Sequence, residues 1–168
     1  MGRQHIEHHA TTSADPATVY ALLRDGASWP SWSPIDAFEL ERHGESEPEG
    51  VGAVRVLRSG RVTGRDTIVE LVPDRRLSYT HTSSLPVRDY RGDIDLTPVA
   101  GGTEIHWATS FEPKYPGTGG LCVAASTDSS ASARTVSRRA RPSSRAERSA
   151  TPPDLWPRPD ATVGPRWR

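Results

Sequence analysis

At 168 residues the chain has room for one ordinary domain with an appendage. Its 21 Lys+Arg balance 21 Asp+Glu, so the molecule as a whole offers no strong field to nucleic acid or an anionic membrane. A single cysteine, Cys122, excludes an internal disulfide and fits a reducing compartment. No apolar run approaches membrane-spanning length, and no signal-like stretch precedes His5, so the expected location is cytoplasmic.

Ile6 to Thr12 predicts a first strand, with Ile6, His8 and Ala10 in phase. Asp15-Pro16 then supplies an N-cap and a proline at the first helical position, followed by Val19, Leu22 and Leu23 at helical spacing. Gly26 ends that helix. The run Trp29-Pro-Ser-Trp32-Ser-Pro34 is too rich in proline for a long helix and suits one short turn, its two tryptophans anchoring helix to sheet.

Strands are expected at Phe38 to Arg42, Val51 to Ser59, Val62 to Leu71 and Leu77 to Ser83. Tyr90, Gly92, Ile94 and Leu96 alternate with Arg91, Asp93 and Asp95, the period of a half-buried strand. After the turn Pro98-Val-Ala-Gly-Gly102, the next strand puts Ile105, Trp107, Thr109 and Phe111 on one face. One short helix cannot cover a sheet of about seven strands, and a second long helix is expected after Phe111. The stretch that follows is instead rich in Ser, Ala, Arg and Pro with few large apolar residues, which predicts disorder from about Gly119 to Arg168. An uncovered apolar face would favour self-association.

Leu22-Leu-Arg-Asp25 with Trp29-Pro-Ser-Trp32-Ser-Pro34, Pro73-Asp-Arg-Arg-Leu77-Ser-Tyr79, Asp89-Tyr-Arg-Gly92, and Gly101-Gly-Thr103 through Trp107 to Phe111-Glu-Pro113 and Pro116-Gly-Thr-Gly119 occur in this order. In that arrangement residues 1–119 resemble the START/SRPBCC superfamily, particularly its polyketide cyclase/dehydrase branch. The resemblance implies an α+β helix-grip: a curved antiparallel sheet with two N-terminal helices, wrapped around a C-terminal helix with a hydrophobic ligand cavity between them. The chain departs from that pattern after Gly120, where the C-terminal helix is expected to be missing or out of frame, leaving residues 120–168 as a tail.

The expected ligand is a lipid, polyketide or aromatic metabolite, held by a carrier, a sensor or a cyclase-like protein. Strand phase assigns Trp107, Tyr79, Tyr90, Ile68, Val54, Val56, Ile94, Ile105 and Phe111 to the cavity lining. Asp66, Tyr79 and His81 are the candidates for acid–base work, since that chemistry needs a polar group inside an apolar pocket. Two readings are open for Asp66: a protonated carboxyl that orients a ligand carbonyl, or a cross-strand pair with Arg55 or Arg91. The pairing is the simpler one. No cofactor is expected. His5, His8 and His9 suggest a metal, but His8 and His9 point to opposite faces and no adjacent carboxylate or thiol completes a set, so none is predicted. Arg91-Gly-Asp93 matches an adhesion tripeptide but lies within a strand. The alternative function is a nucleic-acid or protein contact through Ser137-Arg-Arg-Ala-Arg141, which lacks interleaved aromatics.

The break in composition and helical pattern at one point predicts a frameshift close to Gly120. With TCN for serine and CGN for arginine, the codons from Leu121 can be regrouped as the third base of each plus the first two of the next. They then permit Leu/Val/Met, Arg, Arg, Arg/Gly, Leu, Asp, Arg/Gly, Phe and Ile/Leu, whose apolar members recur with the period of an amphipathic helix. Resequencing the locus is expected to reveal an insertion or deletion there. An intact genomic frame, with an early stop codon in the regrouped one, would refute it.

Overall fold

A computed structural model describes residues 2–83, 86–115 and 128–140 of the chain. The expectations for Cys122, for the break at Gly119 and Gly120, and for the tail from Arg141 onward lie outside those residues. Along the described chain come β1 (Gln4–Thr12), α1 (Pro16–Arg24), a 3-10 helix (Gly26–Ser31), β2 (Ala37–Arg42), β3 (Val54–Ser59), β4 (Val62–Val72), β5 (Arg76–Ser83), β6 (Val87–Val99), β7 (Gly102–Pro113) and α2 (Asp128–Arg139).

The strands form one antiparallel sheet in the order β1-β7-β6-β5-β4-β3-β2. β2 to β7 are joined to their sequence neighbours, and β1 closes the other end against β7, with Gln4 opposite Phe111 and Thr12 opposite Thr103. α1 starts as its sequence dictates: the Asp15 carboxylate accepts from the Thr18 amide at 2.8 Å and from the Thr18 hydroxyl at 3.1 Å. Those bonds, the amide first, hold the Asp15 carboxyl below its ordinary value.

α1 and the 3-10 helix lay Val19, Leu23, Trp29 and Trp32 on the inner face of the sheet, in one core with Ile68, Leu77, Tyr79, Ile94, Leu96, Ile105 and Trp107. The helix-grip architecture expected from the sequence is the one observed. The two tryptophans anchor as expected, their rings 5.4 Å apart and both buried.

Two expectations need correction. β3 begins at Val54, not Val51, because Gly52 turns the chain in the left-handed region at φ 85°. A C-terminal helix is also present where disorder was expected. α2 packs on β1 and β7, Val136 is fully buried in the core, and the Ser137 hydroxyl donates to the Thr11 carbonyl. The reason is economical. Val136 and Ala140, four residues apart, form a narrow apolar stripe, and such a stripe suffices when the partner is a preformed sheet. The inner face is therefore covered along β1 and β7, and self-association through a wholly open face loses that premise.

Docking of α2 is open to measurement. Val136→Ala removes two buried methyl groups, and at roughly 0.8 kcal/mol each plus a small cavity it is expected to cost about 1.5–2 kcal/mol. Urea denaturation monitored by circular dichroism would read the loss. An unchanged midpoint would mean that α2 contributes nothing to the fold.

Candidate functional site

Cross-strand register sorts the inner face into rows. One runs Ile68–Tyr79–Gly92–Thr109–Ile6, and a second runs Leu77–Ile94–Trp107–His8. A third, Leu40–Arg55–Asp66–His81–Tyr90, carries most of the polarity. Ile68, Tyr79, Tyr90, Ile94, Ile105, Trp107 and Phe111 thus share the inner face, as expected. Val54 and Val56 do not. They pair with Thr67 and Arg65 on the outer face, and Arg55 takes the inward position. Apolarity misled the phase of β3, because a cation stands where a hydrophobe was counted.

Arg55 is 1% exposed, and both of its terminal nitrogens are engaged. Its guanidinium pairs with Glu49 at 2.7 Å, donates to the carbonyls of Leu23 (3.2 Å) and Arg24 (2.7 Å), and lies 5.7 Å from the centroid of the Trp29 ring. Burial lowers its pKa, while Glu49 and then Asp66 oppose that shift. The Trp29 indole also donates to the Leu23 carbonyl, at 3.2 Å, so the last turn of α1 is capped by two side chains.

Asp66 lies opposite Arg55 in register, but its direct bond is to His81, with Oδ1 and Nδ1 2.5 Å apart. The alternative partner Arg91 is on the outer face, bonded to Asp93 at 2.9 Å. Asp66 is 5% exposed and the His81 side chain 18%. The contact fixes the orientation of the imidazole through Nδ1 and leaves Nε2 as its second polar atom. The His81 ring lies 4.9 Å from Tyr90, and Tyr90 stacks on Phe111 at 5.9 Å. A register shift in β6 between Arg88 and Arg91, with Asp89 at φ 50°, accompanies this placement of Tyr90.

Tyr79 is buried, and its hydroxyl accepts from the Trp107 indole at 3.2 Å. Burial, then Tyr90 and Asp66, push the phenol well above its ordinary value, so it stays protonated throughout the physiological range. Two glycines make room for these rings. A Cβ on Gly92 would stand 2.3 Å from the Tyr79 ring, and one on Gly64 would stand 2.3 Å from the His81 ring. Thr109, 2% exposed, brings a hydroxyl to this face that has no hydrogen-bond partner among the described residues. Gly64 escaped the sequence reading, Arg55 entered it only as a partner for Asp66, and Gly92 and Thr109 were placed in phase without a role.

An open groove between Glu70, Arg76 and Asp95 lies away from these rings, and Arg76 is already bonded to Asp95 there at 2.6 Å. The alternative arginine contact surface is described only as far as Arg138 and Arg139, both exposed on α2. Among the described residues no helix is long and apolar enough to cross a membrane.

With this geometry in place, the chain was compared with known proteins. The family model described as polyketide cyclase / dehydrase and lipid transport matches residues 3–141. No curated protein matches the sequence. A START superfamily protein from Mycobacterium smegmatis superposes with a TM-score of 0.69 at 12% identity, covering 83% of this chain and 97% of its own. The Zhui aromatase/cyclase from a Streptomyces species superposes with a TM-score of 0.65 at 20% identity, covering 83% and 94%. Both likenesses are of fold.

The fit of Tyr79 over Gly92 gives a direct test. Gly92→Ala forces the ring aside and is expected to destabilise the fold by about 1–3 kcal/mol. Denaturant titration would show it, and a wild-type midpoint would mean that the ring moves freely.

Proposed function

This chain belongs to the polyketide cyclase/dehydrase and lipid transport family, and from that premise we propose that it binds an apolar small molecule bearing a hydroxyl or carbonyl. The ligand sits against the inner face of the sheet, as a lipid, polyketide or aromatic metabolite would. The observation that carries this reading is the hydrogen-bonded Asp66–His81 pair set among Tyr79, Tyr90, Phe111 and Trp107. A fold built only for stability gains little from a carboxylate and an imidazole in that position, since desolvating them costs energy that apolar residues would not.

Trp107, Ile94, Ile105 and Ile68 supply the apolar floor, and Tyr79 supplies a neutral hydroxyl. His81 Nε2 is the group that meets the polar end of the ligand. The same arrangement could move a proton, as a cyclase-like reaction requires, but binding is the function proposed.

The test compares two probes on the full chain: an environment-sensitive hydrophobic dye and a hydroxylated anthraquinone. Both are expected to bind. His81→Ala is expected to weaken the anthraquinone about tenfold or more, as the loss of a strong hydrogen bond does, with Asp66→Asn acting in the same direction. Dye affinity should change far less. Absence of binding by either probe, or an equal loss for both in the variants, would sink the proposal.

A further inference from the structure

We propose that the outer face of the β1–β7 pair is a binding site for a divalent transition metal of the zinc class, held by Glu7, His9 and His106. His9 and His106 are direct partners in the ladder, and their rings stack at 4.4 Å with 19° between planes. Glu7 precedes His9 by two residues and shares its outward face. One ligand atom from each of the three lies within 4.8 Å of the others. Donors around a tetrahedral zinc with bonds near 2.0–2.1 Å stand about 3.4 Å apart, so rotation of the exposed Glu7 and His9 side chains closes the set.

Two details make this more than a chance meeting of polar residues. Glu104 Oε1 lies 3.5 Å from His9 Nδ1, an ion-pair distance, so a second carboxylate stands within reach of the His9 ring once Nε2 faces an ion. His106 Nε2 is a buried atom with no hydrogen-bond partner among the described residues, and Glu7 Oε2 stands 3.7 Å away. That separation is too long for a hydrogen bond, whereas an ion between the two would satisfy both. Two imidazoles and one carboxylate suit zinc, with a fourth position left open.

The sequence argument against a metal looked along β1, where His8 and His9 diverge. The ligand set forms across the ladder instead. Its place in the fold gives it a purpose. β1 is an edge strand, and its Thr11 carbonyl receives α2 through Ser137. An ion at this site staples β1 to β7 on the side opposite the inner face, so it stabilises the closed end of the sheet without touching the ligand.

Isothermal titration of the full chain with Zn2+ alone is the test, alongside thermal melts with and without the ion. The expected result is one ion per chain and a higher melting temperature. His9→Ala and His106→Ala should each weaken binding at least about tenfold and abolish the thermal shift. His43→Ala, on the loop after β2, should leave both unchanged. Glu7→Gln, which keeps the side-chain shape, should weaken binding in a chain that melts as the wild type does without metal. No measurable binding, wild-type affinity in His9→Ala or His106→Ala, or half an ion per chain would each overturn the site.

Discussion

Arg55 is the residue on which the rest of the inner face depends. A guanidinium out of water costs several kcal/mol unless its donors are met, and here the partners come from three separate pieces of chain. Glu49 arrives from the loop before β3, the Leu23 and Arg24 carbonyls from the end of α1, and the Trp29 ring from the 3-10 helix. Glu49 also accepts from the Gly26 amide at 3.1 Å, and Arg24 pairs with Glu47 at 2.9 Å. The helix end, the loop and the sheet are thereby fixed to one another. Trp29 then passes that order inward, its ring 6.5 Å from Trp107 in an edge contact, and Trp107 holds the Tyr79 hydroxyl.

Most of the architecture was legible in the sequence because its signals are local. Asp15-Pro16 starts α1, alternation marks β6 and β7, and Gly101-Gly102 turns between them. What could not be read depended on register. Val54 and Val56 look inward by apolarity, yet the pairing of Arg55 with Leu40 and Asp66 reverses the strand. A one-residue change of phase exchanges the two faces, and nothing within β3 announces it. The Asp66–His81 bond was missed for a related reason. Both residues were singled out, but their adjacency belongs to the β4–β5 ladder and not to either strand alone.

α2 failed to appear for a different reason. Its composition is that of a segment unable to fold alone, and that judgement of the isolated segment stands. A sheet already curved by β1 and β7 changes the terms, because Val136 needs only to fill a site that exists. Tertiary context supplied what helical pattern lacked.

The two faces of the sheet treat charge in opposite ways, and this bears on where function can reside. On the outer face Arg76–Asp95, Arg91–Asp93 and Arg58–Glu39 pair in or near water, where each contributes little and can be exchanged at small cost. On the inner face Arg55 and Asp66 are buried and His81 half-buried in one row, and each depends on a named partner. Gly64 and Gly92 let the His81 and Tyr79 rings lie back against the strands, so neither ring must stand upright in the space above. Chemistry that needs a fixed imidazole or carboxylate can draw on that row, whereas the exchangeable pairs of the outer face offer no such fixed group.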